Sequence, residues 1–529
     1  MASTFHGLET ARRGMYTQQS ALQVTGHNVA NANTPGYTRQ RINFQQTEAY
    51  PSPAFNKPML PGQIGTGVEA GSVQRIRDSF LDVQYRGENN KLGYWESKAD
   101  ALTKMEEIMN EPTDSGLAKT IDMFWQSLQD LAGNPKNPGA RAVVKERGIA
   151  LAETFNYLSN SISTIRQDLQ NELNVTEKNA NALLDRINSL NEQIAAVEPH
   201  GMVPNDLYDE RDRMIDDLSQ IVNITVSYQQ SGGKPAAIAE GRAIISLADT
   251  SGAAIARLVD GQGVQHIDVK FTPPGQDTYV TEVTVGGKTF SADAFTSDGS
   301  LKGLMESFGM KTSNGDIKGD YPDMLKELDN LAFTFANEFN KVHSAGMSPN
   351  EINHKNAAGE IEPVNQDINF FKDKKYGDLS EANRKGFAQR IDLADAIKES
   401  IDNIANADGS DPSKATTGDG SVLLELGDLI NKEFDYGLNS EMASFRNYFQ
   451  VLVGGMAVKT QNALRLTDNS GTLRQSVDDK RMSMSAVSLD EEMTNMIQFQ
   501  HAYNASARMI SLQDELLDKI INGMGTGGR

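Results

Sequence analysis

Chemistry in this chain would fall first to its seven histidines, His6, His27, His200, His266, His343, His354 and His501. None stands in His-Glu-x-x-His, the spacing that puts two zinc ligands and a general base on one helix face. There is no cysteine, which removes thiolate metal sites, nucleophilic thiols and disulfides together. Gly286-Gly-Lys-Thr289 has the closing residues of a phosphate-binding loop. That loop needs a glycine where Glu282 stands, so the segment reads as a hairpin turn. Asn314-Gly-Asp-Ile-Lys-Gly-Asp320 is acidic but lacks the twelve-residue spacing and final Glu of a calcium loop. Asn174-Val-Thr176 and Asn223-Ile-Thr225 fit the glycosylation acceptor pattern. Asp and Glu are plentiful, and no pair has a spacing that demands acid–base work. The residues predict no catalytic site, no metal and no cofactor.

The elements that would position any site are more informative. Apolar residues recur every seven positions at both ends of the chain. They are Leu8, Met15, Leu22 and Val29 near the start, and Leu489, Met496, Tyr503, Ile510 and Leu517 near the end. A strict seven-residue repeat keeps one seam facing a partner helix. The companion positions are weak, among them Gln18, Thr25, Gln500 and Asp514. Each stripe is thin for a self-standing helix, because most helix stability comes from packing an apolar face. Two readings stay open. The ends are ordinary surface helices, or they are disordered alone and fold against each other and their neighbours on assembly. Their charges are complementary. Residues 1–40 hold Glu9 against Arg12, Arg13 and Arg39, and residues 490–529 hold six acids against Arg508, Lys519 and Arg529.

Between the ends the character changes several times. A helix is predicted from about Leu151 to Glu198, with Phe155, Ile162, Leu169, Leu183, Leu190 and Val197 on one line. At 1.5 Å per residue it would span ~70 Å. Glu198-Pro-His-Gly201 stops it. Residues 223–310 carry β-branched runs at 223–228, 243–247, 267–271 and 279–285, separated by Gly, Pro and Asp clusters such as Gly261-Gln-Gly263 and Pro273-Pro-Gly275. Helices are predicted near 324–342, 393–404, 421–431 and 441–466. Residues 346–420 are rich in Asn, Asp, Gly and Lys and read poorly.

The chain has 529 residues, enough for three or four domains. Its 71 acids outnumber 50 bases, a net charge of −21, which disfavours nucleic-acid and anionic-membrane partners. No secretory signal is visible. Residues 14–38 lack Asp, Glu, Lys and Arg, yet Gln18, Gln19, Gln23, His27, Asn28, Asn31 and Asn33 make a membrane span too costly. The prediction is a mainly α chain with inserted β-rich domains. The expected divisions are paired terminal helices at 1–45 and 487–529, and an elongated helical bundle from 46–222, 323–345 and 421–486. A β-rich outer domain at 223–322 and a variable outer insertion at 346–420 complete it.

The first helix ends in Asn28-Val-Ala-Asn-Ala-Asn-Thr-Pro-Gly-Tyr-Thr-Arg-Gln40. Pro35 pushes Thr34 out of the α region, and Pro35-Gly36 suits the middle of a type II turn. Asn31 and Asn33 tolerate the left-handed region and can bond nearby backbone. Thr38, Gln40, Ile42 and Phe44 then alternate as a strand. From physics alone this is a helix–turn–strand junction. Its wording, Asn31, Asn33, Thr34, Pro35, Gly36 and Tyr37 above all, resembles the signature of the flagellar rod, hook and hook-associated proteins. Phe5-His-Gly-Leu-Glu-Thr-Ala-Arg-Arg-Gly-Met15, the stretch Leu328 to Gly346 and the stretch Val487 to Arg508 are similar to the members that join hook to filament.

The resemblance implies export of an unfolded chain through the flagellar type III channel. It implies an extracellular structural protein at the hook–filament junction that polymerises there in a ring or short helical zone. The expected partners are other copies of itself, the hook protein, the second junction protein (hook-associated protein 3) and a cytoplasmic flagellar export chaperone. By the same resemblance the inner-tube interface falls on Leu8, Met15, Leu22, Val29, Met496, Tyr503, Ile510 and Leu517. The chaperone would take the stripe Met493, Met496, Tyr503, Ile510 and Leu517. Two alternatives remain, another axial flagellar protein, or a hydrolase or protease domain carried on an axial frame.

Overall fold

A computed structural model describes residues 5–51, 55, 62–109, 116–261, 263–273, 277–355, 360–436 and 442–523. The helices are α1 (Phe5–Ala30), α2 (Ser79–Met109), α3 (Leu117–Gly133), α4 (Pro138–Val197), α5 (Asn205–Ile221), α6 (Ser300–Phe308), α7 (Asp320–Ala345), α8 (Pro349–Ile352), α9 (Asp395–Glu399), α10 (Ser421–Asp428), α11 (Phe445–Ser485) and α12 (Leu489–Gly523). The strands are β1 (Gln40–Gln46), β2 (Val68–Arg75), β3 (Ile224–Gln229), β4 (Arg242–Ala248), β5 (Ala254–Val259), β6 (Ile267–Phe271), β7 (Val280–Val285), β8 (Lys288–Ser291), β9 (Met310–Lys311), β10 (Ile317–Lys318), β11 (Gly346–Met347), β12 (Phe371–Asp373), β13 (Ile391–Leu393), β14 (Ala407–Asp408), β15 (Phe434–Asp435) and β16 (Met442–Ala443). Among the described residues no helix is long and apolar enough to cross a membrane.

The long helix begins at Pro138 rather than Leu151 and runs for 60 residues. Asn137 caps it by accepting from the Gly139 amide at 2.9 Å, and proline suits the first turn, where its missing N–H costs nothing. It closes in a 3₁₀ turn at Glu198–His200, with Gly201 at φ 79°. The chain forms two compact units. One holds residues 1–92, 179–267 and 469–529, and the other holds residues 93–178 and 268–468.

In the first unit β3, β4 and β5 form an antiparallel sheet, and β1 pairs with β2 as a separate ribbon. Alternation along β4 buries Ala243, Ile245 and Leu247. The second unit holds the sheet β10-β9-β7-β6 with β8 on β7, plus three two-stranded ribbons, β11–β14, β12–β13 and β15–β16. Its core is aromatic. Phe124 of α3 lies 5.4 Å from Phe339 of α7 and 5.9 Å from Phe370, and Phe335 lies 5.3 Å from Phe371. Tilted and edge-on rings at these separations add to burial, about 1 kcal/mol per pair.

The strands of 223–322 therefore do not form one sheet. β3–β5 belong to the first unit, while β7–β10 belong to the second. The runs at 223–228, 243–247, 267–271 and 279–285 are strands, whereas β5 has no β-branched run to announce it. Gly286 and Gly287, at φ 59° and 75°, make the β7–β8 turn expected of that segment. The helix predicted over 393–404 is not continuous. Ile391–Leu393 pair with Phe371–Asp373 as β13, α9 spans five residues, and a 3₁₀ turn follows. Strand pairing and the Ser400 side chain, which accepts from the Asp402 amide, replace the helical ladder there. Pro274-Gly275, Gln262 and the expected start at Glu441 lie outside the described residues.

One local device recurs. A helix asparagine offers its amide to both backbone groups of a strand residue. Asn28 does this for Gln40 (2.8 and 3.0 Å), Asn191 for Ala243 (2.8 and 2.9 Å), Asn181 for Ile267 (2.8 and 2.8 Å) and Asn340 for Phe371 (2.7 and 2.9 Å).

Candidate assembly interface at the chain ends

α1 and α12 pack antiparallel. A Cβ on Gly7 would lie 3.0 Å from the Gln513 side chain, and one on Gly14 would lie 3.2 Å from Ser506. Seven residues forward on one helix is seven back on the other, so the heptad spacing is matched along the pair. Leu8 and Met15 follow those glycines, while Tyr503 and Ile510 lie one turn before their partners. Leu8, Met15, Leu22, Val29, Met496, Tyr503, Ile510 and Leu517 are all partly buried. Leu489, the first residue of the C-terminal line, is exposed at 49% and departs from the partly buried seam, and Met493 of the expected chaperone stripe is exposed at 58%. A second apolar row on α12, Met509, Leu512, Leu516 and Ile520, is exposed as well. Met509 and Leu516 are seven apart but one residue off the first line, so a reading along that single line did not include them.

α1 has another face that the sequence pattern hid, because its residues are small or polar. Thr17, Ala21, Thr25 and Asn28 are its buried residues. Thr17 Oγ1 donates to the Val68 carbonyl of β2 at 3.0 Å, which fastens the helix to the β1–β2 ribbon. Thr, Ala and Asn permit the close approach that a larger side chain would block.

The turn after α1 has the expected form. The Tyr37 amide donates to the Thr34 carbonyl at 3.2 Å, and Gly36 has φ 79°, where a side chain is strained. Asn31 binds the His27 carbonyl through its side chain at 3.1 Å and accepts from Thr34 Oγ1 at 3.1 Å. Neither Asn31 nor Asn33 takes positive φ, because Gly36 alone supplies the left-handed residue of the turn. Asn33, Thr34 and Pro35 are exposed. The strand begins at Gln40 rather than Thr38.

The residues that lock this turn in place were missed. Buried Asn28 accepts from Tyr37 Oη at 2.8 Å while holding Gln40. Burial, with Asp206, Asp209 and Glu492 nearby, pushes the Tyr37 hydroxyl pKa up, so it remains a protonated donor. The Thr38 amide donates to Asp209 of α5 at 3.0 Å, and Gln40 Nε2 donates to Asp206 at 3.0 Å. Arg39 Nε binds Glu492 at 2.7 Å, Arg39 Nη1 binds Glu491 at 2.6 Å, and the Arg39 amide donates to the Ser485 carbonyl at 2.8 Å.

Asp209 belongs to a buried charge network. Arg75 binds Asp209 at 2.7 Å, Asp212 at 2.9 Å, and Glu240. Arg77 binds Asp82 at 2.6 Å and Asp212 at 2.9 Å, while Arg86 and Arg481 share Asp216 at 2.8 and 2.6 Å. Burial alone would raise the Asp212 pKa, but Arg77, Arg75 and Arg211 overturn that and hold it well below the carboxylate range. At Asp209 burial outweighs Arg75 and the Thr38 amide, and its pKa lies above the ordinary value. Breaking such a network by removing one partner costs about 3–5 kcal/mol, since the other charge stays buried. The arrangement can position helices. It presents no nucleophile beside a base, and among the described residues no group of three His, Asp or Glu could hold a metal ion.

Comparison with known proteins places the chain in a family. The family described as the flagellar hook-associated protein FlgK helical domain matches residues 102–357. The flagella basal body rod protein family matches residues 8–38, and the C-terminal family of the flagellar basal body rod FlgEFG proteins matches residues 479–523. The chain is 45% identical to flagellar hook-associated protein 1 of Bacillus subtilis over 532 residues, covering 100% of both. It is 23% identical to flagellar hook-associated protein 1 of Salmonella typhimurium, covering 97% of this chain and 98% of that protein. The flagellar hook junction protein FlgK from Burkholderia pseudomallei shares the fold, with a TM-score of 0.55 at 15% identity, over 77% of this chain and 100% of that one.

Proposed function

Since the chain belongs to the flagellar hook-associated protein 1 family, we propose that it is a structural protein of the bacterial flagellum that polymerises at the distal end of the hook and joins it to the filament. The observation that carries this is the antiparallel α1–α12 pair, closed by Arg39 and Glu492. The two segments matched by rod families, 8–38 and 479–523, fall on that pair. The ends are thus what this chain has in common with axial proteins of otherwise different construction. Its role is mechanical, and catalysis has no part in the proposal.

The terminal seam is only partly buried in the single chain. Neighbouring copies supply the rest of its burial, and this favours ordering of the ends on assembly. One face of the polymer meets the hook protein and the other accepts the second junction protein. A cytoplasmic export chaperone covers the apolar side of α12 before export, and the absence of cysteine suits passage as an unfolded chain.

The test is labelled purified protein mixed with isolated hooks whose distal structures have been removed, imaged by electron microscopy. Label confined to the distal hook tip is expected. Failure to bind, with both units folded and both ends intact, would overturn the reading.

A further inference from the structure

His343 of α7 is enclosed, at 1% exposure. Its Nδ1 lies 2.7 Å from the Ile368 carbonyl oxygen, and its Nε2 lies 3.0 Å from the Ala405 amide nitrogen. A carbonyl only accepts and an amide N–H only donates. Nδ1 therefore carries the proton and Nε2 the lone pair, and the ring is neutral. Phe339 stacks on it at 6.3 Å, and Phe370 meets it edge-on at 5.4 Å.

The surroundings oppose a charged ring. Arg141 of α4, itself buried, donates to the Ile404 carbonyl at 2.7 Å and to Asn406 Oδ1 at 3.0 Å, on either side of Ala405. Its charge works against an imidazolium. Asp402 is the acid that acts on Arg141. The segment at 368–371 offers His343 a carbonyl and phenyl rings, and the segment at 404–406 offers an amide. Among the described residues no carboxylate bonds the ring. A proton added at Nε2 would face the Ala405 N–H head to head.

We propose that His343 is an acid-operated pin, whose protonation detaches residues 404–406 from α7 and opens that end of the 346–420 region while the rest of the fold stays closed. Burial moves the His343 pKa down to about 4. A base depressed below its unfolded value of about 6.5 contributes stability that is complete above pH 6.5 and is lost as pH falls toward 4.

The neighbouring attachment responds the other way, which makes the opening local. Asp329, also on α7, accepts from the Gly386 amide at 2.6 Å and the Ala388 amide at 2.9 Å. Burial lifts its pKa to about 6 against those two donors. A raised acid favours the closed state as pH falls. The 386–388 attachment therefore holds while 404–406 lets go. Opening uncovers the packing of Gly346 against Val422 and Ala405.

The test is hydrogen exchange of the isolated full chain from pH 7 to 4.5, corrected for intrinsic rates, and it is independent of any assembly. Amides of 404–408 should lose protection about tenfold per pH unit below 6.5, the slope of one linked proton, while β4 stays protected. His343→Gln, neutral at every pH, should flatten that slope. Constant protection in the wild type, or the wild-type slope retained in H343Q, would overturn the proposal. Should H343Q not fold, histidine carbon-13 NMR of the wild type decides. One of the seven histidines remaining neutral to below pH 5 while the 404–408 amides lose protection supports the pin, and all seven titrating near 6.5 sinks it.

Discussion

Arg39 and Glu492 stand 453 residues apart in the chain and 2.7 Å apart in space. The Glu492 side chain is 3% exposed and that of Arg39 is 19% exposed, so the pair is largely withdrawn from water. It ties the turn after α1 to the first turn of α12. Glu491 adds a second contact, but at 62% exposure it is screened and contributes little.

Glu492→Gln should therefore matter more than Glu491→Gln. The first is expected to lower stability by about 2–3 kcal/mol, because the largely enclosed Arg39 guanidinium loses its buried carboxylate and keeps only the exposed, screened one. The second should cost under about 1 kcal/mol. Denaturant unfolding of both variants measures the difference. Equal costs would contradict the burial argument.

Asn28→Ala removes the acceptor of the Tyr37 hydroxyl and both contacts to Gln40. Each group left buried without a partner costs about 1–3 kcal/mol. The expected result is a loss of about 3 kcal/mol and rapid exchange of the Gln40 amide. Asn33→Ala, at an exposed position of the same turn, should change neither. Unaltered Gln40 protection in the Asn28 variant would remove the clamp from the account.

Leu22→Asp and Ile510→Asp each place a charge on the terminal seam. Both should give folded chains, with unchanged unfolding of the second unit, that no longer join hooks in the electron-microscopic assay. Normal incorporation of both would mean that the seam does not carry assembly.

Asp329→Asn gives a pH signature with a defined sign. With its pKa near 6 in the fold and about 3.8 unfolded, Asp329 contributes stability that is present at low pH and lost as pH rises through 6. The wild type should gain on the variant by about 1–3 kcal/mol between pH 7 and 4.5. His343 is common to both chains and cancels in the difference. A difference that is flat with pH would refute the assignment.

The periodic parts of this chain were legible from its residues. Two heptad stripes, a long helix and a proline–glycine turn announce themselves because each repeats a local rule. What holds them was not legible. Asp209, Arg75 and Glu492 are ordinary charges in the sequence, and they acquire meaning only when segments far apart converge. The buried face of α1 hid for another reason. Thr17, Ala21, Thr25 and Asn28 pack by being small and by bonding backbone, and a hydrophobic pattern cannot register that. At 393–404 local helical preference lost at its first residue to the pairing of Ile391–Leu393 with Phe371–Asp373, and beyond Glu399 to the 3₁₀ turn capped by Ser400.

The four asparagines that grip strand backbones have one more effect. A short sheet leaves a row of unpaired amides and carbonyls along its border, ready to recruit a strand from any other chain. At Gln40, Ile267 and Phe371, on border strands, and at Ala243, where the central β4 runs past its β5 partner, a helix side chain already occupies one such pair of groups. Each clamp thereby removes one amide and one carbonyl from what another chain's strand could pair with, which works against cross-β stacking.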